Sequence, residues 1–353
     1  MELKITKVDN PKPLPDESSL GFGTIFTDHM MLMDYNQEDG WCKARVEPYR
    51  MLEMDPASMV LHYSQTIFEG LKAYRTEDGN VQLFRPKDNI DRLNISAKKL
   101  CIPEMDPDFL FDSLKKLIAL EERWVPKEPG TSLYIRPTVI AVDPYVGLRA
   151  SHTYLFYIIL SPVGAYYSEG FNPVKIWVSK DYVRAVRGGV GEAKTGGNYA
   201  ASLKATEDAN KNGYTQVLWL DGIEQKYIEE VGAMNIFFVI GDEIITPELS
   251  GSILAGITRD SVIALAKKWG MKITERRLSI DEIVNAHESG QLKEVFGSGT
   301  AAVISPVGEI KYGEKEMVIE GGKVGKLSQK FMDSITGIQY GRMEDDMNWI
   351  EKI

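Results

Sequence analysis

The chain has 353 residues, 43% of them hydrophobic and 26% charged, an ordinary globular composition. That length predicts two domains, and a formal net charge of −10 argues against a nucleic-acid partner, whose phosphates need a clustered cationic surface. Cys42 and Cys101, without CxxC spacing, and four scattered histidines offer no disulfide framework or metal centre and predict a reducing, cytoplasmic setting.

In chain order, the N-terminal stretch MELKITKVDNPKPLPDESS is charged and proline-bearing and lacks the apolar core of a secretory signal. VQLFR (81–85) predicts the first clear strand. A helix follows from near Asp88, with Ile90, Leu93, Ala97 and Leu100 on one stripe. DPDFLFDSLKKLIALEERW predicts a second helix, ended before Pro126. SLYIRPTVIAV (132–142) and HTYLFYIIL (152–160) read as strands. The apolar run from Thr153 to Tyr167 is too short and punctuated to span a bilayer. Gly and Pro then break the pattern in YYSEGFNPV (166–174).

Beyond that break, VKIWVS (174–179), TQVLWLD (215–221), NIFFVI (235–240) and VFGSG (295–299) predict further strands, rich in β-branched and aromatic residues. GNYAASLKATEDANKNG predicts a helix stopped by Gly213, and GITRDSVIALAKKWG one that ends at Gly270. Helices and strands alternate too irregularly for a doubly wound sheet. The expected class is α+β, with a smaller N-terminal domain over 1–167, a linker over 168–175 and a larger C-terminal domain over 176–353.

The stretch GGVGEAKTGGNYAASL (188–203) clears unusual room around one amine, that of Lys194. GGVGEAKT is one residue short of the phosphate-cradling pattern GxxxxGK[ST], with Ala193 in place of the second glycine, and QVLWLD resembles an apolar strand ending in a magnesium-binding Asp. Against that reading, the loop follows the charged SKDYVRAVR rather than a buried strand, and Gly196 and Gly197 weaken a helix. The other chemical reading is a Schiff-base lysine, which needs burial or a nearby cation to be neutral part of the time, and room for a flat cofactor. By this stretch alone, a surface lysine in a flexible loop is the simplest reading.

The wider chain changes that balance. FGTIFTDHM, LHYSQTIFEGLKAY, LFRPKDNIDRL, SLYIRPTVIA, SPVGAYY, KTGGNYAAS, QVLWLDG, YIEEVGAMNIFFV, GSILAGITRDSV and EVFGSGTAAVISPVG occur in this order from Gly21 onward. Together they resemble the branched-chain amino-acid aminotransferases, enzymes of fold type IV that use pyridoxal 5′-phosphate. D-amino-acid aminotransferases, shorter relatives of that fold type, match less well. The resemblance implies two α/β domains with the active site at their interface, and reversible amino transfer between leucine, isoleucine or valine and 2-oxoglutarate, giving glutamate.

The resemblance also implies roles residue by residue. Lys194 is the lysine that binds the cofactor and shuttles the proton at the substrate α-carbon. Glu230, directly before VG, keeps the pyridine nitrogen protonated, with Glu229 as its close rival. Arg92 takes the phosphate, with Arg85 nearby as a competitor. Backbone amides of Ile257 and Thr258 at a helix N-terminus, and Thr300 in GSGT, complete the phosphate site. Tyr199 meets the ring hydroxyl. Phe22, Phe68, Tyr134, Tyr166 and Ala301 form an apolar box around the side chain, and Tyr134 with the backbone at Thr300–Ala301 holds the α-carboxylate. Arg136, two residues along the strand from Tyr134 and so on the same face, takes the γ-carboxylate of glutamate. Tyr63, Val146 and Leu148 reach a neighbouring subunit, implying a homodimer; no metal is implied. The mammalian members carry a redox CxxC where this chain has Ala302 and Ser305, so thiol control is not expected. Cys42 and Cys101 fall outside these motifs and read as packing residues.

Overall fold

The computed structural model describes residues 1–164 and 171–353. Two compact units form: residues 1–166, 193–196 and 337–353 make the first, and 167–192 with 197–336 make the second. The short segment holding Lys194 therefore belongs with the first unit, although its flanks on both sides belong to the second.

The first unit is built on one sheet. Its strands are β1 (Lys4–Ile5), β2 (His29–Asn36), β3 (Gly40–Pro48), β4 (Thr66–Phe68), β5 (Leu71–Arg75), β6 (Val81–Phe84), β7 (Ser132–Ala141) and β8 (Tyr154–Val163). They run in the order β1-β3-β2-β8-β7-β5-β6, with β4 paired to β7. The long antiparallel register of β7 on β8, from Ser132↔Val163 to Ala141↔Tyr154, is the spine of this sheet.

Besides the one-turn α1 (Met59–Tyr63), two helices pack here, α2 (Pro86–Lys99) and α3 (Pro107–Leu120). Proline at the first turn of each suits a position whose N–H has no helical partner. The side chain of Asp106 caps α3 by accepting from the N–H groups of Asp108 and Phe109. Ile90, Leu93 and Ala97 of α2 join Leu110, Leu114, Leu117 and Ile118 of α3 in the core of this unit, so the predicted stripe is its buried face.

The second unit has a mixed sheet of β9 (Val174–Val178), β10 (Gln216–Leu220), β11 (Ile228–Val231), β12 (Met234–Ile240), β13 (Glu243–Thr246), β14 (Lys272–Glu275), β15 (Leu292–Gly299), β16 (Val303–Tyr312) and β17 (Lys315–Val318). The order is β11-β10-β9-β16-β15-β12-β13-β14, with β17 on β16, and β11 also pairs with β12. That extra pairing closes a cycle of six strands, β11-β10-β9-β16-β15-β12. The helices here are α4 (Gly196–Lys211), α5 (Ile257–Lys268), α6 (Ile280–Glu288) and α7 (Lys326–Gln339). A last strand, β18 (Ile350–Lys352), returns to the first sheet beside β6. The class is α+β, as the irregular alternation predicts.

Two expectations need correction. Gly196 and Gly197 do not interrupt a helix interior; they form the first turn of α4, where their cost is small. Cys101 is no packing residue: it follows the end of α2 with φ of 56° and is exposed, while Cys42 is half-buried. Among the described residues, no helix is long and apolar enough to cross a membrane, and no cluster of His, Cys, Asp or Glu is placed to hold a metal ion.

Glu294 shows how one carboxylate fastens α7. From β15 its two oxygens accept from the N–H groups of Leu327 (2.8 Å) and Ser328 (2.9 Å) and from the Ser328 hydroxyl (2.9 Å). A Cβ on Gly325 would overlap this carboxylate. Glu294→Ala should cost roughly 1–3 kcal/mol by leaving helix N–H groups buried and unmet, and Gly325→Ala should also destabilise. Thermal melting of both variants checks this; unchanged midpoints would show that α7 is held by packing alone.

Candidate active site

In the first unit, the lysine and the predicted phosphate arginine share one anchor, helix α2. Arg92 and Ser96 lie four residues apart, hence on one face of the helix. The Lys194 N–H donates to Ser96 Oγ at 3.0 Å, and the Lys194 carbonyl accepts from the Phe68 N–H at 3.0 Å. Thr195 extends the join by pairing with Ile67 and donating its hydroxyl to the Thr66 carbonyl at 2.7 Å. The backbone of the lysine is thus clamped between α2 and β4, and its Nζ lies 5.1 Å from the Phe68 ring centroid. Lys194 is half-buried, which excludes the flexible surface loop.

Arg92 is 7% exposed, and its partner Glu69 is 1% exposed. Glu69 accepts from Arg92 Nε at 2.7 Å and Nη2 at 2.8 Å, a two-point grip that fixes the plane of the guanidinium and uses two of its five N–H donors. The competitor Arg85 is engaged elsewhere, with Nε on Asp88 at 2.9 Å and its guanidinium over Trp349.

Of the predicted box, Phe22, Phe68 and Tyr134 lie in this same unit, whereas Ala301 belongs to the second. Tyr134 and Arg136 alternate correctly along β7, and Arg136 Nη2 donates to the Tyr134 hydroxyl at 2.9 Å. The guanidinium sits 4.7 Å from the Phe68 ring centroid and 5.2 Å from that of Tyr134. Phe22 meets Tyr134 edge-on at 5.0 Å. The absence of a Cβ at Gly70 makes room for the Tyr134 phenol. Among the described residues Arg136 meets no carboxylate, and its Nε is buried without a hydrogen-bond partner. Tyr63 is exposed, its hydroxyl donating to the Val146 carbonyl, and Val146 and Leu148 are exposed as well. Tyr166 lies outside the described residues.

In the second unit, Glu230 and Tyr199 line one pocket together with Arg184, Asn198, Ser202, Gly232, Ala233 and Leu254. Glu230 is 3% exposed, not a rim charge. Its Oε1 accepts from Asn235 Nδ2 at 3.4 Å, and its Oε2 pairs with Arg184. The Asn235 amide also donates to the Leu254 carbonyl at 2.9 Å, and a Cβ on Gly256 would overlap its oxygen. Gly256 is the cap of α5, so the turn that delivers the N–H groups of Ile257 and Thr258 is tied to the strand that carries Glu230. No side chain caps that helix end. Thr300 and Ala301 sit half-buried in the turn between β15 and β16. In register, Glu230, Asn235 and Ser298 form one cross-strand row, and Ser298 Oγ is buried with no hydrogen-bond partner among the described residues. A pocket with a held carboxylate and a phenol, beside a helix N-terminus without a side-chain cap and a buried unmet hydroxyl, fits a flat phosphorylated ring.

The phosphate-cradle alternative finds no support in this arrangement. Strand β9 ends at Val178, well upstream of Gly188. Asp221, the counterpart of its magnesium ligand, is occupied. Burial alone would raise this carboxyl, yet the backbone N–H groups of Glu224, Tyr227, Lys226 and Ile223 hold it down at about 2. It is a turn cap, not a ligand.

Sequence reasoning missed Glu69, Ser96, Arg184 and Asn235. Only Ser96 carried a local signal, its spacing of four from Arg92. Lys72 was missed as well: it pairs in register with Tyr134, and desolvation brings its ammonium down to about 8.

The comparisons with known proteins agree with one another. The family described as amino-transferase class IV matches residues 66–310. Branched-chain-amino-acid aminotransferase 2 of Bacillus subtilis (strain 168) is 55% identical over 351 residues, covering 99% of this chain and 97% of its own. The crystal structure of the Escherichia coli branched-chain amino acid aminotransferase resembles the fold with a TM-score of 0.76 at 29% identity, over 92% of this chain and 98% of that one. The T.th. branched-chain amino acid aminotransferase, complexed with N-(5′-phosphopyridoxyl)-L-glutamate, does so with a TM-score of 0.72 at 26% identity, over 91% and 97%.

Glu229 alternates with Glu230 on β11 and faces the other way. Burial pushes its carboxyl above the ordinary range, against the opposing effects of the Ser252 hydroxyl and Arg184. A carboxyl raised in the folded state contributes stability in acid that is lost as pH climbs through the raised value. Glu229→Gln, which can still accept from Ser252, should therefore melt higher than the wild type at pH 8, with the gap closing below about pH 4. A variant that melts lower at every pH would show that the ionised form is the one the fold holds.

Proposed function

For a chain that belongs to the class IV aminotransferase family, we propose reversible amino transfer, dependent on pyridoxal 5′-phosphate, between L-leucine, L-isoleucine or L-valine and 2-oxoglutarate. The products are the branched-chain 2-oxo acids and L-glutamate. The observation that carries this reading is the Arg136 guanidinium, set among Phe68 and Tyr134 and meeting no carboxylate among the described residues. An apolar box suits a branched side chain, and burying a carboxylate in it is costly unless a cation is present. One arginine at the wall of an aromatic box reconciles both substrates, its stem serving as apolar surface when leucine is bound.

When bound, the cofactor supplies an electron sink for the pair left at the substrate α-carbon. Lys194 would hold the cofactor through its Nζ and, once freed by the substrate amine, would take the proton from the α-carbon and deliver it to the cofactor carbon C4′. The clamped backbone of Lys194 restricts that motion to the side chain. Glu230 holds a proton on the ring nitrogen, and Tyr199 donates to the ring hydroxyl. Arg92, Thr300 and the N–H groups of Ile257 and Thr258 take the phosphate. Tyr134 and the backbone at Thr300–Ala301 take the α-carboxylate. Phe22, Phe68 and Ala301 exclude water from the side chain. Tyr63, Val146 and the 83% exposed Leu148 form an exposed apolar group that supports a homodimer, since such residues gathered on one surface mark contact sites.

The purified protein should be yellow, and borohydride should fix a pyridoxyl group on the peptide containing Lys194. Lys72, with its lowered ammonium, is the internal control. Labelling there, or a colourless protein that binds nucleotide with magnesium, would overturn the reading. Lys194→Ala should abolish turnover while retaining some cofactor through the phosphate contacts.

Arg136→Met should slow the glutamate half-reaction by roughly a hundredfold, the worth of a charged hydrogen bond, and the leucine half-reaction by less than about tenfold. The two are followed separately through the cofactor's absorbance. Equal losses would place Arg136 on the common α-carboxylate or in the fold.

A further inference from the structure

In the second unit, Arg184 is a buried cation that no motif assigns. It lies in SKDYVRAVR, on the loop after β9, and is 8% exposed. Its Nη2 donates to the Gly191 carbonyl at 3.1 Å and to the Ser252 carbonyl. Its Nε lies within ion-pair range of Glu230 Oε2 but without the alignment of a hydrogen bond. A Cβ on Gly191 would overlap the Ser252 carbonyl and crowd Ala185, so only glycine lets this loop close around the guanidinium.

Two neutral carbonyls orient a guanidinium without balancing its charge, and a buried charge requires an opposite one. Two carboxylates are near. Glu229 faces the other side of β11, where one oxygen accepts from the Ser252 hydroxyl and the other meets no hydrogen-bond donor among the described residues, and burial disfavours its ionisation. Glu230 is the one whose oxygen lies against Arg184. The Asn235 amide on its other oxygen is neutral and can serve a carboxyl in either protonation state. Arg184, as a cation, discriminates in favour of the carboxylate.

We infer that Arg184 is a positioning residue for the cofactor, holding Glu230 ionised and its carboxylate fixed in the pocket shared with Asn198, Tyr199 and Ser202. The inference rests on the reading that this pocket receives pyridoxal 5′-phosphate. It makes the grip on the ring nitrogen a property of the pair and not of Glu230 alone. The Gly191 contact adds a second consequence: the same guanidinium braces the loop leading to Lys194.

The two roles separate in a double-mutant cycle. Apoprotein is titrated with pyridoxal 5′-phosphate, following the visible band, for wild type, Arg184→Met, Glu230→Gln and the double variant. Melting of each apoprotein reports folding. Arg184→Met should weaken cofactor binding on the order of tenfold and change the band. In the Glu230→Gln background the same substitution should alter affinity by less than about twofold, because the carboxylate it acts through is gone. Arg184→Lys, which keeps the charge and loses the two-carbonyl fork, should fall between wild type and Arg184→Met, and takes its place in the cycle if Arg184→Met does not fold. Equal weakening in both backgrounds would reduce Arg184 to a loop brace and overturn the inference, as would wild-type affinity and spectrum in Arg184→Met. A wild-type protein that takes up no pyridoxal 5′-phosphate would overturn the functional reading itself.

Discussion

The first unit depends on the buried ion pair between Glu69 and Arg92. Both charges are removed from water, and each would be costly to strand alone, so the pair forces the turn between β4 and β5 to lie against α2. Once α2 is seated, Ser96, one turn beyond Arg92, meets the backbone of Lys194, and Phe68, one residue before Glu69, meets it from the other side. Three segments distant in sequence are thereby locked by one charge pair and two hydrogen bonds, one from the lysine N–H to a serine hydroxyl and one from a backbone N–H to the lysine carbonyl. This is why a lysine surrounded by glycines is held in place.

The second unit uses a different device to place its acid. On a strand, neighbouring side chains face opposite ways, so Glu229 and Glu230 cannot occupy the same surroundings. Glu230 faces Arg184 and Asn235, and Glu229 faces Ser252. Chemically identical side chains thus meet different partners: the guanidinium lies against Glu230, while burial raises the carboxyl of Glu229 despite the Ser252 hydroxyl. The closed cycle of strands holds β11 on both edges, against β10 and β12, and leaves no free edge on which the register could slip.

The dual specificity proposed above rests on the same alternation on β7. Tyr134 and Arg136 share a face, the phenol accepts from the guanidinium, and Phe68 covers the cation. An arginine held by aromatic rings and a phenol is less hydrated than a lysine would be and keeps its planar fork. On that proposal, the site would present apolar surface to one substrate and N–H donors to the other.

Much of this was readable from the sequence by itself. The apolar stripe of α2, the Gly270 stop just beyond α5 and the period-two face of β7 are local properties of the chain, and they place Ile90, Leu93, Tyr134 and Arg136 on the faces they occupy. The motifs around Lys194 and Glu230 pointed to the family through their order along the chain. Tertiary structure alone decided which charges meet: Glu69 with Arg92, Arg184 with Glu230, Ser96 with the lysine backbone, and the closure of β11 on β12. Periodicity states which face a side chain occupies, but not what lies opposite it. That depends on the register between segments far apart in the chain, which is set by burial and charge pairing in the packed molecule.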